Sequence, residues 1–169
     1  GDGFDDLIIG ANGDDPNGSY SGASFVVFGK ADGTAVELSA IEAGTGGFVI
    51  NGVARGDTSG YSVSSAGDVN GDGFDDLIVG ARSDDPNGGS NSGASFVVFG
   101  KASGASVELS EIQLGDNEDG FVINGVAAFD KSGTSVSSAG DVNGDGLDDL
   151  IIGAPIDDPN GDASGASFV

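Results

Sequence analysis

Three near-copies of one acidic stretch decide the fold: GDGFDDLIIGA at 1–11, GDGFDDLIVGA at 71–81 and GDGLDDLIIGA at 144–154. They begin 70 and 73 residues apart. A repeat of that period marks an array of equivalent supersecondary units, so the unit has to be read before the chain. The second and third copies follow SVSSAGDVN, giving Asp68-Val69-Asn70-Gly71-Asp72-Gly73-Phe74-Asp75-Asp76 and Asp141-Val142-Asn143-Gly144-Asp145-Gly146-Leu147-Asp148-Asp149.

Each unit keeps one word order. SVSSAGD (62–68, 135–141) leads into the acidic loop, and DLI-I/V-GA follows (6–11, 76–81, 149–154). Next come a polar turn with DDPNG (14–18, 84–88, 157–161) and SGASFV (21–26, 92–97, 164–169), and the unit closes on GFVINGVA (47–54, 120–127). The apolar runs are short, rich in Val, Ile and Phe, and bounded by Gly, Asn, Asp and Ser, which predicts four strands per unit. LIIG and FVVF are continuous rather than alternating, as suits strands covered on both faces. The spacers VELSAIEAG (36–44) and VELSEIQLG (107–115) predict one short helical turn each, with Ser39-x-x-Glu42 and Ser110-x-x-Gln113 placed as capping boxes.

A single sheet of about four strands cannot cover both of its faces. Units of roughly 70 residues favour propeller blades stacked face to face, because a solenoid coil uses fewer residues per turn. The expectation is therefore an all-β chain of four-stranded antiparallel propeller blades. It divides into a partial blade over 1–57 (strands 2–4), a complete blade over 58–130 and a partial blade over 131–169 (strands 1–3). The window is expected to be a fragment, about two and a half blades of a larger propeller.

Composition removes several function classes. The 28 acidic residues face only Lys30, Arg55, Arg82, Lys101 and Lys131, for a formal charge of −23. Such a surface repels nucleic acid and anionic membranes. The chain has no Cys and no His, which excludes disulfides, thiolate or imidazole metal sites, Ser-His-Asp triads and Cys-His pairs within it. No apolar run reaches membrane-spanning length.

The loop chemistry points to calcium. Asp68, Asn70, Asp72 and Asp76 present side-chain oxygens at positions one, three, five and nine, and the Phe74 carbonyl falls at position seven. Calcium takes six to eight oxygen ligands and accepts carboxylate, amide and carbonyl donors together. Gly73 follows position five, where the chain has to turn sharply. The opening resembles an EF-hand loop but lacks its Glu at position twelve and its flanking helices, so Asp76 closes the site instead. The third copy maps identically onto Asp141, Asn143, Asp145, the Leu147 carbonyl and Asp149. The first copy retains Asp2, the Phe4 carbonyl and Asp6, and a weak or empty site is expected there. Magnesium is the second candidate ion, and its rigid octahedral preference suits such a protein-rich cage less well. A metal-free reading is an Asp/Asn/Gly turn, set against the repulsion of converging carboxylates. Asp75 and Asp148 are expected to point away as solvated charges.

With these residues in hand, SGYSVSSAGDVNGDGFDDLIVGAR (59–82) resembles the FG-GAP repeat, found in the integrin alpha-subunit propeller and in many bacterial surface and secreted proteins. Gly153-Ala154-Pro155 reads GAP outright, Gly80-Ala81-Arg82 and Gly10-Ala11-Asn12 stand in its place, and the FG position reads Ser59-Gly60 and Ser132-Gly133. The resemblance implies a propeller of about seven blades, with calcium in the loop between the first two strands of a blade. It also implies an extracellular or cell-surface location.

The expected function is non-catalytic: a calcium-stabilised module in adhesion, with a protein or glycan ligand on a cell or matrix surface. Near-identical copies without Cys suggest a bacterial surface protein. The alternatives are a calcium-bridged filament or sheath subunit, self-assembling through its repeats, and an accessory region of a secreted enzyme. The DDPNG segments read as solvated hairpin turns. Arg55-Gly56-Asp57 spells an integrin-read tripeptide but is replaced by Ala128-Phe129-Asp130 in the next unit, and it reads as an ordinary loop. Phe25, Phe28, Phe48, Phe96, Phe99 and Phe121 are expected to pack between blades.

Overall fold

The structure is a computed structural model and describes residues 3–86, 90–115 and 118–169. Its elements run β1 (Leu7–Ala11), β2 (Ala23–Val27), α1 (Leu38–Glu42), β3 (Gly47–Asn51), β4 (Ser62–Gly67), β5 (Asp76–Ala81), β6 (Ala94–Val98), β7 (Val107–Glu108), α2 (Leu109–Leu114), β8 (Gly120–Asn124), β9 (Ser135–Gly140), β10 (Asp149–Ala154) and β11 (Ala166–Phe168). Three sheets result, ordered β1-β2-β3-β7, β4-β5-β6-β8 and β11-β10-β9. The middle sheet is the complete four-stranded antiparallel blade, and the architecture is the all-β propeller type that the repeat predicts.

Register follows the repeat. Val79 pairs with Phe96 and Phe96 with Val122 in the middle blade, as Ile9 pairs with Phe25 and Phe25 with Val49 in the first. The continuous apolar runs sit where both faces are covered: every residue of β2 and β6 is buried. Between the first two blades lies a core of Val26, Phe48 and Ile50 against Val79, Phe96 and Val98, closed by Leu109 and Ile112. A smaller core of Ala66, Ile78 and Ile152 joins the second and third blades. Burying a side chain such as Phe96 contributes about 1.5–3 kcal/mol, so these inter-blade seams hold the stack together. Of the six phenylalanines expected there, Phe48 and Phe96 are buried in the seam, whereas Phe25 is buried on the other face of the first blade with Val27, Ile41 and Val49. Phe28 packs edgewise on Phe48 at 6.2 Å and Phe99 on Phe121 at 6.1 Å between ring centroids. Phe121 keeps an exposed face.

Glycines of the repeat motif mark close approaches of blade to blade. A Cβ on Gly10 would stand 2.2 Å from the Gly60 carbonyl oxygen, and one on Gly80 would stand 2.1 Å from that of Gly133. The first glycine of the GAP-like triplets in the first two units thus lies against the Ser-Gly corner of the next unit. No larger residue fits while that seam stays closed.

Both spacers form the expected short helices, but neither capping box exists. The N-caps are Glu37 and Glu108, without side-chain cap bonds, and Ser39 and Ser110 lie inside the first turn. Gln113 instead donates a 2.9 Å hydrogen bond to Asp84. The residues just before α2 also do something that the pattern did not announce. Val107 and Glu108 leave their own unit and pair in parallel with Ile50 and Asn51, adding a fourth strand to the first sheet. Glu108 is gripped there by Asn51 at 2.5 Å and by Asn17 at 3.1 Å.

Candidate metal centre

The acidic loops sit between the first and second strands of the second and third blades, at the ends of β4–β5 and β9–β10. Each hairpin is irregular at that end, with register shifts at Ser65/Gly67 and at Asp149/Leu150. Such a bulge bends the strand and re-aims the side chains beside it, here Asp76 and Asp149.

Within each loop the oxygens fold onto the backbone in the same way. Asp68 Oδ1 accepts from the N–H of Gly71 (2.8 Å) and Asp72 (3.1 Å), and its Oδ2 accepts from Gly73 (3.0 Å). Asp141 repeats this with Gly144 (2.6 Å), Asp145 (3.1 Å) and Gly146 (3.0 Å). Asn70 accepts from Asp72 N–H at 2.8 Å and Asp72 from Phe74 N–H at 2.8 Å, matched at 2.9 Å in both the Asn143 and Asp145 contacts. The chain can curl this tightly because Gly73 and Gly146 adopt φ of 90° and 93°, which a side chain would oppose. Asp76 and Asp149 fold back across the loop to accept from Val69 (3.0 Å) and Val142 (2.8 Å).

Donor positions one, three, five and nine are therefore brought into one loop in both copies, with the backbone at Phe74 and Leu147 between them. In the first copy Asp6 accepts from Gly29 N–H at 2.8 Å, as Asp76 does from Gly100 at 2.8 Å. Asp2 lies outside the described residues, and Phe4 lies within them. Among the described residues no group of three or more His, Cys, Asp or Glu side chains is already drawn in to the spacing of a metal cage. The loop carboxylates are turned to backbone N–H groups instead.

The donor chemistry nevertheless fits a hard cation. All side-chain donors are oxygens, and the charge is one-sided. Burial pushes the Asp76 carboxyl above its usual range, two backbone hydrogen bonds oppose this, and the carboxylates of Asp72 and Asp68 push it up further. Asp76 itself is 0% exposed. Asp68, Asn70, Asp72 and Asp76, with the Phe74 carbonyl, would hold calcium in the second blade; Asp141, Asn143, Asp145, Asp149 and the Leu147 carbonyl would do so in the third.

Several other expectations are corrected. Asp148 is not a free solvated charge: its Oδ2 accepts a 3.2 Å hydrogen bond from Asp68 N–H in the preceding blade's loop. In the DDPNG stretch of the second unit, whose Asn87 and Gly88 lie outside the described residues, Asp84 is not solvated either: it is 4% exposed and holds Gln113. It also faces Asp57, whose carboxyl is pushed up to about 7 by burial first and by the charge of Asp84 next. Asp57 accepts from Ala54 N–H at 2.9 Å and is 7% exposed, so the carboxylate of Arg55-Gly56-Asp57 points inward rather than toward a partner. Tyr61 carries the Arg82 guanidinium 3.7 Å above its ring, a cation–π contact that two isolated residues in the sequence did not reveal.

Fold and loops together define a segment of β-propeller blades, each bearing an acidic loop between its first two strands. Residues 59–98 and 132–169 match the family model "FG-GAP repeat", and these two stretches are FG-GAP repeats. The chain is similar to Integrin alpha ina-1 of Caenorhabditis elegans, 35% identical over 112 residues, which is 64% of the chain and 10% of that protein. It is 34% identical to Integrin alpha-PS2 of Drosophila melanogaster over 118 residues (68% of the chain, 8% of that protein). It is also 30% identical to Integrin alpha-4 of Xenopus laevis over 161 residues (94% and 14%). The chain thus spans about a tenth of the length of the curated relatives it matches. No helix among the described residues is long and apolar enough to cross a membrane.

Proposed function

We propose that the chain is a calcium-binding, non-catalytic segment of an extracellular or cell-surface propeller, presenting blade surfaces to a protein or glycan ligand in adhesion. The observation that carries this reading is the repeated fold-back of Asp76 and Asp149 over loops whose other donors are Asp, Asn and Asp. Bound calcium would supply charge neutralisation and tie the first two strands of a blade together. Asp68 and Asp141 orient the loop backbone through three N–H groups each, and Asp76 and Asp149 close it. The likeness to integrin alpha chains supports the adhesive side of the reading.

Metal analysis of protein dialysed against trace calcium tests the reading directly. Two tightly held calcium ions per chain are expected, and loss of both in the Asp72→Ala/Asp145→Ala variant. A metal-free protein whose melting is identical in calcium and in chelator would sink it.

A further inference from the structure

The two complete acidic loops touch. Asp148, one residue before the closing Asp149 of the third blade, sends its Oδ2 to the backbone N–H of Asp68, the first residue of the second blade's loop, at 3.2 Å. Space is reserved for it: a Cβ on Gly67 would stand 2.0 Å from that same carboxylate oxygen. The Leu147 side chain also lies 3.4 Å from where a Cβ on Gly71 would be.

We infer that Asp148 couples ion binding at the two loops, acting as a positioning residue rather than a ligand. The inference rests on the calcium reading above and adds the communication between sites. An ion gripped by Asp149 fixes the chain on which Asp148 stands. Asp148 then holds the N–H of Asp68, and Asp68 in turn organises its loop through Gly71, Asp72 and Gly73. Loading the 141–149 loop therefore pre-orders the 68–76 loop, and by linkage the reverse holds equally. The equivalent residue of the second blade, Asp75, is exposed and serves as an internal control.

Calcium titration calorimetry on the whole chain, with Asp148→Ala, Asp148→Asn and Asp75→Ala, separates the possibilities. The intact chain should bind two ions with positive cooperativity. Asp148→Ala should still bind two but independently, with the 68–76 loop weakened about five- to tenfold, a coupling at the lower end of the usual range. Asp148→Asn keeps an acceptor oxygen and should keep the cooperativity, which a purely electrostatic effect would not. Asp75→Ala should behave as the intact chain. Matching melting curves in chelator would show that the variants fold. Independent binding in the intact chain, or cooperativity persisting in Asp148→Ala, overturns the coupling while leaving calcium binding intact. Absence of any calcium heat overturns the functional reading itself.

Discussion

Gly80 faces Gly133 across the seam between the second and third blades, so that a Cβ on Gly80 would stand 2.1 Å from the Gly133 carbonyl oxygen. The obstacle is backbone, which cannot swing aside as a side chain can. Gly80→Ala should therefore destabilise by about 3 kcal/mol or more, since the seam must open to admit the methyl group. Gly153→Ala is the contrast: the nearest atom there is the Ser135 hydroxyl at 2.4 Å, and a rotamer change relieves it. Its cost should stay near about 1 kcal/mol. Urea denaturation of the two variants checks the difference.

Glu108 should behave as a staple between blades. Its carboxylate accepts from Asn51 at 2.5 Å and from Asn17 at 3.1 Å, with Val107 and Glu108 paired in parallel to Ile50 and Asn51. Hydrogen bonds to a charged group contribute about 1.5–3 kcal/mol, less where water competes. Glu108→Ala and Asn51→Ala should each cost about 1–2 kcal/mol, and the double variant should cost less than their sum. Additive losses in that cycle would mean that the pair does not act as a unit.

Asp57 gives the ion-free protein an unusual pH response. Its carboxyl is pushed up to about 7 by burial and by Asp84. From about pH 4 to about pH 7 the unfolded chain ionises this group while the folded chain retains the proton. The folded state then binds more protons, so stability falls as pH rises through that window. In chelator, melting at pH 5 should exceed melting at pH 8 by several degrees. Asp57→Asn should flatten the profile and raise stability at pH 8.

Calcium should reverse that trend. Ion binding requires ionised carboxylates, so its affinity falls as protons compete. Each ion at a hundredfold excess over its Kd adds about 2.7 kcal/mol to folding, which corresponds to roughly 5–10 °C for a chain of this size. Acidification should then lower melting in calcium while raising it in chelator. Two scans at each pH, with and without chelator, reveal the crossing.

Much of this was legible in the chain because the information was local and repeated. Strand runs, turn residues and the Asp-Asn-Asp spacing recur in register, and each recurrence lands on an equivalent element. What stayed hidden depends on contacts between units. Val107 and Glu108 are only two residues, too few for a periodic signal, and their partner Asn51 lies 57 residues from Glu108. Ser39 and Ser110 have capping-box spacing, yet the chain arrives at each helix through an extended Glu that takes the cap position. Asp84 and Asp57 read as surface turns because Asp, Pro and Gly dominate their segments. Only blade stacking brings them together out of water. The role of Asp148 is hidden in the sequence for the same reason, since its partner Asp68 belongs to another repeat.

The parallel strand of Val107 and Glu108 also sets an order of events during synthesis. The outer edge of the first sheet ends at β3, yet the two residues that finish it leave the ribosome only after most of the second blade has emerged. Until then Ile50 and Asn51 present an open edge to whatever else is nascent nearby. The first blade is completed by residues of its successor, so it stays unfinished at that edge until the second blade's spacer has been made.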